Sequence, residues 1–218
     1  SNLRSAGAYS LCKFGEKKYL SFIQDCAKQD NPTIQANTAM LLGKLKNHES
    51  LELLYKLKDA HNVEDVVAYN ATEAIARLGD DRIYAKIWAL LISVYSDDRY
   101  MGTMAMGALG SAKAAGALVT MLEDDVLEVR LSAAANLGRL GDASGSQVVV
   151  EYFEKPAENV AKQTAEHQQV LVALAIGNIE DSKLIEYLPK FLKSDSPIVR
   201  LSAAKSVFLR AAEERKTP

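Results

Sequence analysis

The chain is poor in the residues that most often carry chemistry or crosslinks: two Cys, three His, five Pro and one Trp in 218 residues. Two cysteines cannot make a disulfide framework, so no oxidising compartment is implied. His48, His61 and His167 never stand three or four residues from one another or from a cysteine, so no local metal cluster is visible. His48-Glu49 is one His-Glu pair at a helix start, where a capping role is expected. Excess charge is lacking too: 26 Lys and Arg against 28 Asp and Glu leave a net charge of -2. That excludes the basic excess of a dedicated nucleic-acid binder. The run Ile87–Tyr95 is about half as long as a membrane helix requires and reads as a buried core helix. No G-x-S-x-G, P-loop or G-x-G-x-x-G occurs, so neither a nucleophile elbow nor a phosphate cradle is indicated. The N-terminal residues carry no signal-peptide pattern. Cytoplasmic residence is the default expectation, with a removed signal peptide left open.

What the chain has is apolar residues, 48% of the total, in a helical repeat. Val129–Asp142 serves as a template: Val-Arg, an Ala-rich middle, then Leu-Gly-x-Leu-Gly-Asp. Self-alignment places its first residue at Leu3, Ile34, Val67, Met101, Val129, Gln168 and Val199. The spacings are 31, 33, 34, 28, 39 and 31. Apolar residues at offsets 0, 4, 8 and 11 from each anchor have helical spacing, and small residues at offsets 5 and 9 let helix backbones approach. A second amphipathic segment separates the copies. Short turns such as Asp124-Asp125 and Ser194-Asp195-Ser196-Pro197 precede the anchors and supply N-caps. The unit is therefore helix A, turn, helix B. No strand pattern appears, and stacked pairs predict an all-α solenoid of about seven repeats forming a single domain over 1–218. Two irregularities are expected: a tight turn at Ser111–Ala114, and an insertion at 154–167 of the kind that maps to a loop on one face.

The acidic turn, the Val-Arg pair, the Ala-rich middle and the Leu-Gly-x-Leu-Gly-Asp ending resemble HEAT-like repeats of the phycobilisome-lyase type. The resemblance covers nearly the whole chain and bears on fold rather than function. An Asp–Arg element is legible at Asp125/Arg130 and Asp195/Arg200, while Gln35, Ala68, Gly102 and Gln169 stand where other copies would need Arg. An inter-repeat charge ladder is thus expected to be broken.

In such solenoids helix B lines the inner, concave surface. Tyr9, Met40, Tyr69, Met104, Leu171 and Leu174 fall at positions not needed for stacking, and contiguous apolar surface there marks an interaction site. Lys13, Lys44, Arg77 and Arg139 form a basic row at helix C-termini. That row either offsets the helix dipoles or attracts an acidic partner. Cys12 and Cys26 read as buried structural thiols. The expectation is a non-enzymatic scaffold for a peptide or protein partner, with no cofactor, metal, nucleic acid or membrane involved. Two alternatives come from the resemblance alone. One is a bilin lyase or chaperone subunit acting on a phycobiliprotein. The other is a HEAT-like DNA-repair glycosylase, disfavoured by the charge and by the single Trp88.

Overall fold

Local sequence chemistry sets the helix boundaries in the computed structural model, which describes residues 2–155 and 160–214. In chain order the helices are α1 (Asn2–Lys13), α2 (Leu20–Ala27), α3 (Pro32–Leu45), α4 (Leu51–Lys58), α5 (Asp65–Arg77), α6 (Tyr84–Leu91) and α7 (Ser96–Leu109). They continue as α8 (Ala112–Thr120), α9 (Leu127–Arg139), α10 (Ser146–Glu154), α11 (Lys162–Asn178), α12 (Leu188–Leu192) and α13 (Pro197–Glu214). No strand occurs among the described residues. The odd-numbered helices are the B helices and the even-numbered ones the A helices, so the alternation read from the sequence is present throughout.

A recurrent cap starts the A segments. The side chains of Asn47, Asp80, Asp142 and Asp181 each accept from the backbone N–H two residues on, opening a 3-10 turn that runs into the α-helix. Each carboxylate or amide satisfies a donor that helix geometry leaves free. At the first of these turns the capping residue is therefore Asn47, and the exposed His48 follows it rather than capping. The preceding B helices end on left-handed residues such as Gly110 (φ 65°) and Gly141 (φ 83°). Lys46 occupies the same position with φ 55°, a conformation that costs an L-residue where glycine adopts it freely.

The chain forms two compact units, Ser1–Ala89 with Ala108–Ser111, and Leu90–Gly107 with Ala112–Pro218. The first is centred on Ile23, Leu42, Leu54, Ile75 and Ile83, all fully buried. The second buries Leu131, Val149, Val172, Ile176, Leu184 and Phe191. Each such side chain stabilises by about 1.5–3 kcal/mol through removal from water.

Small residues decide how neighbouring B helices meet. A Cβ on Gly43 would lie 2.7 Å from the Ala74 Cα, and one on Gly177 would lie 2.5 Å from the Ser206 Cβ. A Cβ on Gly107 would fall 2.7 Å from the Asn136 Cβ. In all three cases the glycine at the ninth position after the helix anchor receives the residue at the seventh position of the next B helix. For Gly107 this holds only if the fourth copy is anchored at Asp98 rather than Met101. The left-handed Gly110 makes the same correction, since it then aligns with the helix-ending Gly141 instead of the helical Gly138. With the anchor at 98 the spacings 34 and 28 both become 31, and the irregularity disappears. The expected tight turn at Ser111–Ala114 is instead Ser111 followed by the first turn of α8.

The insertion is a real departure. Residues 156–159 lie outside the described residues; beyond them α11 is 17 residues long, against 13 in α9. Gly138 faces Asn178, the last residue of α11, and Ile179 beyond it, one helical turn later than the corresponding glycines face their neighbours. The lengthened start of α11 is held by Gln168, whose side chain donates to Glu128 at 3.0 Å. It is also held by the edge of His167 against Tyr100, ring centroids 5.8 Å apart. One further expectation is corrected: α6 stops at Leu91, so Ile92, Val94 and Tyr95 are exposed turn residues rather than the end of a buried helix.

Candidate functional site

Within the first unit α1 packs on α3 and α3 on α5; within the second, α9 packs on α11 and α11 on α13. Tyr9 and Met40 in the first unit, and Met104 and Leu174 in the second, are half-buried on their B helices. Anchoring the fourth copy at Asp98 puts Met104 at the sixth position, the same one that Tyr9, Met40 and Leu174 hold in their helices. Tyr69 is half-buried and makes contacts of its own. Leu171 is different: only 6% exposed, it belongs to the core of the second unit, so its assignment to a surface is corrected. The buried Leu131 and Ala134 of α9 belong to the same core cluster.

The expected basic row is uneven. Lys13 and Lys44 are exposed at the ends of α1 and α3, where cations meet the negative end of the helix dipole. Arg77 is half-buried and paired with Glu73 one turn before it. Arg139 is exposed and already engaged within the chain. The unspent positive charge of the row therefore sits on the two lysines of the first unit.

A different basic feature emerged from the structure. Arg130 Nη1 donates to the carbonyls of Asp124 and Asp125 at 2.6 and 3.2 Å. Arg200 Nη1 does the same for Ser194 and Asp195 at 2.7 and 2.9 Å. Arg99 Nη1 repeats it for Ser93 and Val94 at 3.1 and 3.3 Å, so the fourth copy has its arginine after all. The corrected register is the signal that would have found it.

Arg99 also links two repeats. Its guanidinium pairs with Asp124 at 2.6 and 2.9 Å and with Asp125 at 2.6 Å. The Arg99 side chain is 13% exposed and that of Asp124 5%. Burial alone would raise the Asp124 carboxyl. Hydrogen bonds from Arg99 and from the Val126 N–H outweigh that and hold it below the ordinary carboxylate value. One rung of the ladder expected to be broken is thus present, placed where the misaligned fourth copy concealed it.

Among the described residues no three His, Cys, Asp or Glu side chains are grouped to hold a metal ion. Cys26 is buried and Cys12 half-buried, both as free thiols, and burial pushes the Cys12 thiol up. A groove of about 320 Å³ in the first unit is lined by Arg4, Gly7, Ala8, Leu11, Tyr19 and Phe22, with Arg4 over the Phe22 ring. One of about 310 Å³ in the second unit is lined by Tyr152, Gln169, Lys190, Phe191, Lys193, Ser194 and Asp195. No helix is long and apolar enough to cross a membrane among the described residues.

A family model of HEAT repeats matches residues 87–168. No curated protein matches the chain. Human deoxyhypusine hydroxylase in complex with glycerol is similar at 19% identity and a TM-score of 0.48, over 97% of this chain and 81% of that one. An engineered protein is similar at 20% identity and a TM-score of 0.41, over 87% and 96%. An archaeal HEAT-like repeats protein from Thermococcus onnurineus NA1 is similar at 17% identity and a TM-score of 0.39, over 95% and 92%. Likeness at this level transfers no activity and no site.

Proposed function

We propose that this chain, a HEAT-like repeat protein, is a scaffold that grips a peptide or protein partner through half-exposed side chains on its B helices. The observation that carries the reading is the shared position of Met40, Met104 and Leu174. Each is half-exposed, and the Met104 sulfur also accepts from Asn136 Nδ2 at 3.7 Å. Methionine and leucine at such places supply adaptable apolar contact, and Tyr9 adds an aromatic one in the first unit. Lys13 and Lys44 would steer an acidic segment toward the first unit. HEAT repeats commonly mediate protein interactions, which agrees with this use.

The test is affinity capture from source-cell extract with wild type and a Met104→Asp, Leu174→Asp double variant, both checked for helicity by circular dichroism. A protein retained by wild type and lost by the folded variant identifies partner and surface together. Equal retention by both removes these B-helix side chains as the binding surface.

A further inference from the structure

The turn between α6 and α7 has the same backbone device as its counterparts but different side chains. In the turns before α9 and α13, the residue five before the capping arginine is Asp125 or Asp195. Before α7 it is Val94. Ile92, Val94 and Tyr95 are 66%, 86% and 70% exposed. Three large apolar side chains in four residues, all in water, are unfavourable unless something covers them.

The turn is also held in one shape. Arg99 fixes the carbonyls of Ser93 and Val94. The Ser93 hydroxyl donates to Asp98 at 2.6 Å and accepts the Tyr95 N–H at 3.2 Å. A partner would therefore meet a surface that loses little backbone freedom on binding.

The surroundings are acidic. The guanidinium that holds the Val94 carbonyl also holds the Asp125 carboxylate, so tip and acid stand on one side-chain head. The Asp125 side chain is 86% exposed. Asp97 follows the tip by two residues and Glu123 precedes Asp124. Both are exposed, and neither has an ion pair among the described residues. The cations here are Arg99, committed to the turn carbonyls and to both Asp124 and Asp125, and Arg130, committed to the Asp124 and Asp125 carbonyls.

We propose that the 92–95 turn is a docking site for a segment of another protein carrying a large apolar anchor flanked by Lys or Arg. The apolar tip supplies the area to be desolvated, and the carboxylates around it choose the sign of the flanks. The site lies within the second unit and does not depend on the B-helix reading.

The probe is a fluorescein-labelled synthetic amphipathic peptide of Leu and Lys, with a Leu and Glu counterpart, titrated with the full chain by fluorescence anisotropy. Wild type binds the Leu/Lys peptide and prefers it to the Leu/Glu one. Its affinity falls between about 0.05 and 0.5 M salt, as exposed charge pairs are screened. Val94→Asp with Tyr95→Ser weakens binding by about tenfold or more, the loss expected when an anchor contact is removed. Asp97→Lys weakens it in the same direction. Tyr95→Ser alone, which alters only an exposed ring, replaces the double variant if that loses helicity. Binding retained by the turn variants, equal binding of the Leu/Glu peptide, or no binding by wild type overturns the proposal. Loss on Met104→Asp alone also overturns it and returns the peptide to the B helices.

Discussion

Two helical glycines in the second unit should respond to the same substitution with opposite signs. Gly116 lies in α8 with nothing within 4 Å of where its Cβ would stand. Gly116→Ala therefore gains the helix-propensity difference alone, about 1 kcal/mol. Gly138 lies in α9, and its Cβ would fall 2.7 Å from the Ile179 Cγ1 and 2.8 Å from the Asn178 carbonyl carbon and the Ile179 nitrogen. A side-chain tip can turn aside, but the backbone at 178–179 ends α11 and cannot move without moving that helix. The overpacking cost is about 2–3 kcal/mol. Offset by the same propensity gain, Gly138→Ala should destabilise by about 1–2 kcal/mol. The two variants should then differ by about 2–3 kcal/mol, or several degrees in melting temperature at about 2–4 °C per kcal/mol. Urea and thermal unfolding followed by circular dichroism measure this, and both glycines report on the same unit. A Gly138→Ala protein as stable as Gly116→Ala would refute the close approach of α9 to α11.

Lys46→Gly should be neutral or stabilise by up to about 1 kcal/mol, because relief of the left-handed backbone outweighs the added chain entropy; the urea midpoint checks it. Arg99→Met should destabilise the second unit by about 2–3 kcal/mol at neutral pH, since it strands the buried Asp124 carboxylate. Asp124 is held below its unfolded value of about 3.9, so its contribution is present above that pH and lost as pH falls through the folded value. The gap between wild type and Arg99→Met should therefore narrow on acidification, and a pH-independent gap would argue against the ion pair as its source.

Much of the candidate surface was legible because half-exposed positions follow helical periodicity. Tyr9, Met40 and Leu174 were nominated from their place six residues after the anchor, and Met104 from an anchor set three residues late; all four lie half-exposed. Leu171 was misplaced because the position three after the anchor packs inward in this unit, as the buried Ser132 and Ser202 at the same position of α9 and α13 also do. The exposed tip at 92–95 was hidden by its own composition. An unbroken apolar run reads as helix, and only Ser93 and the Asp97-Asp98 pair hint that a new helix is about to start.

The sequence by itself determined the elements and their alternation. Helical periodicity, Asn and Asp caps and left-handed glycines all act over a few residues, so letters in order are enough to specify them. The register of the fourth copy was decided only by tertiary structure. Leu137-Gly138 and Leu140-Gly141 are the same two letters three residues apart, and Leu109-Gly110 matches either. One glycine of that pair lies inside a helix and must be small because another helix presses on it. The other ends the helix and must be glycine because its φ is positive. The first requirement belongs to a neighbour about forty residues away in the chain, so it is visible only once the helices are packed.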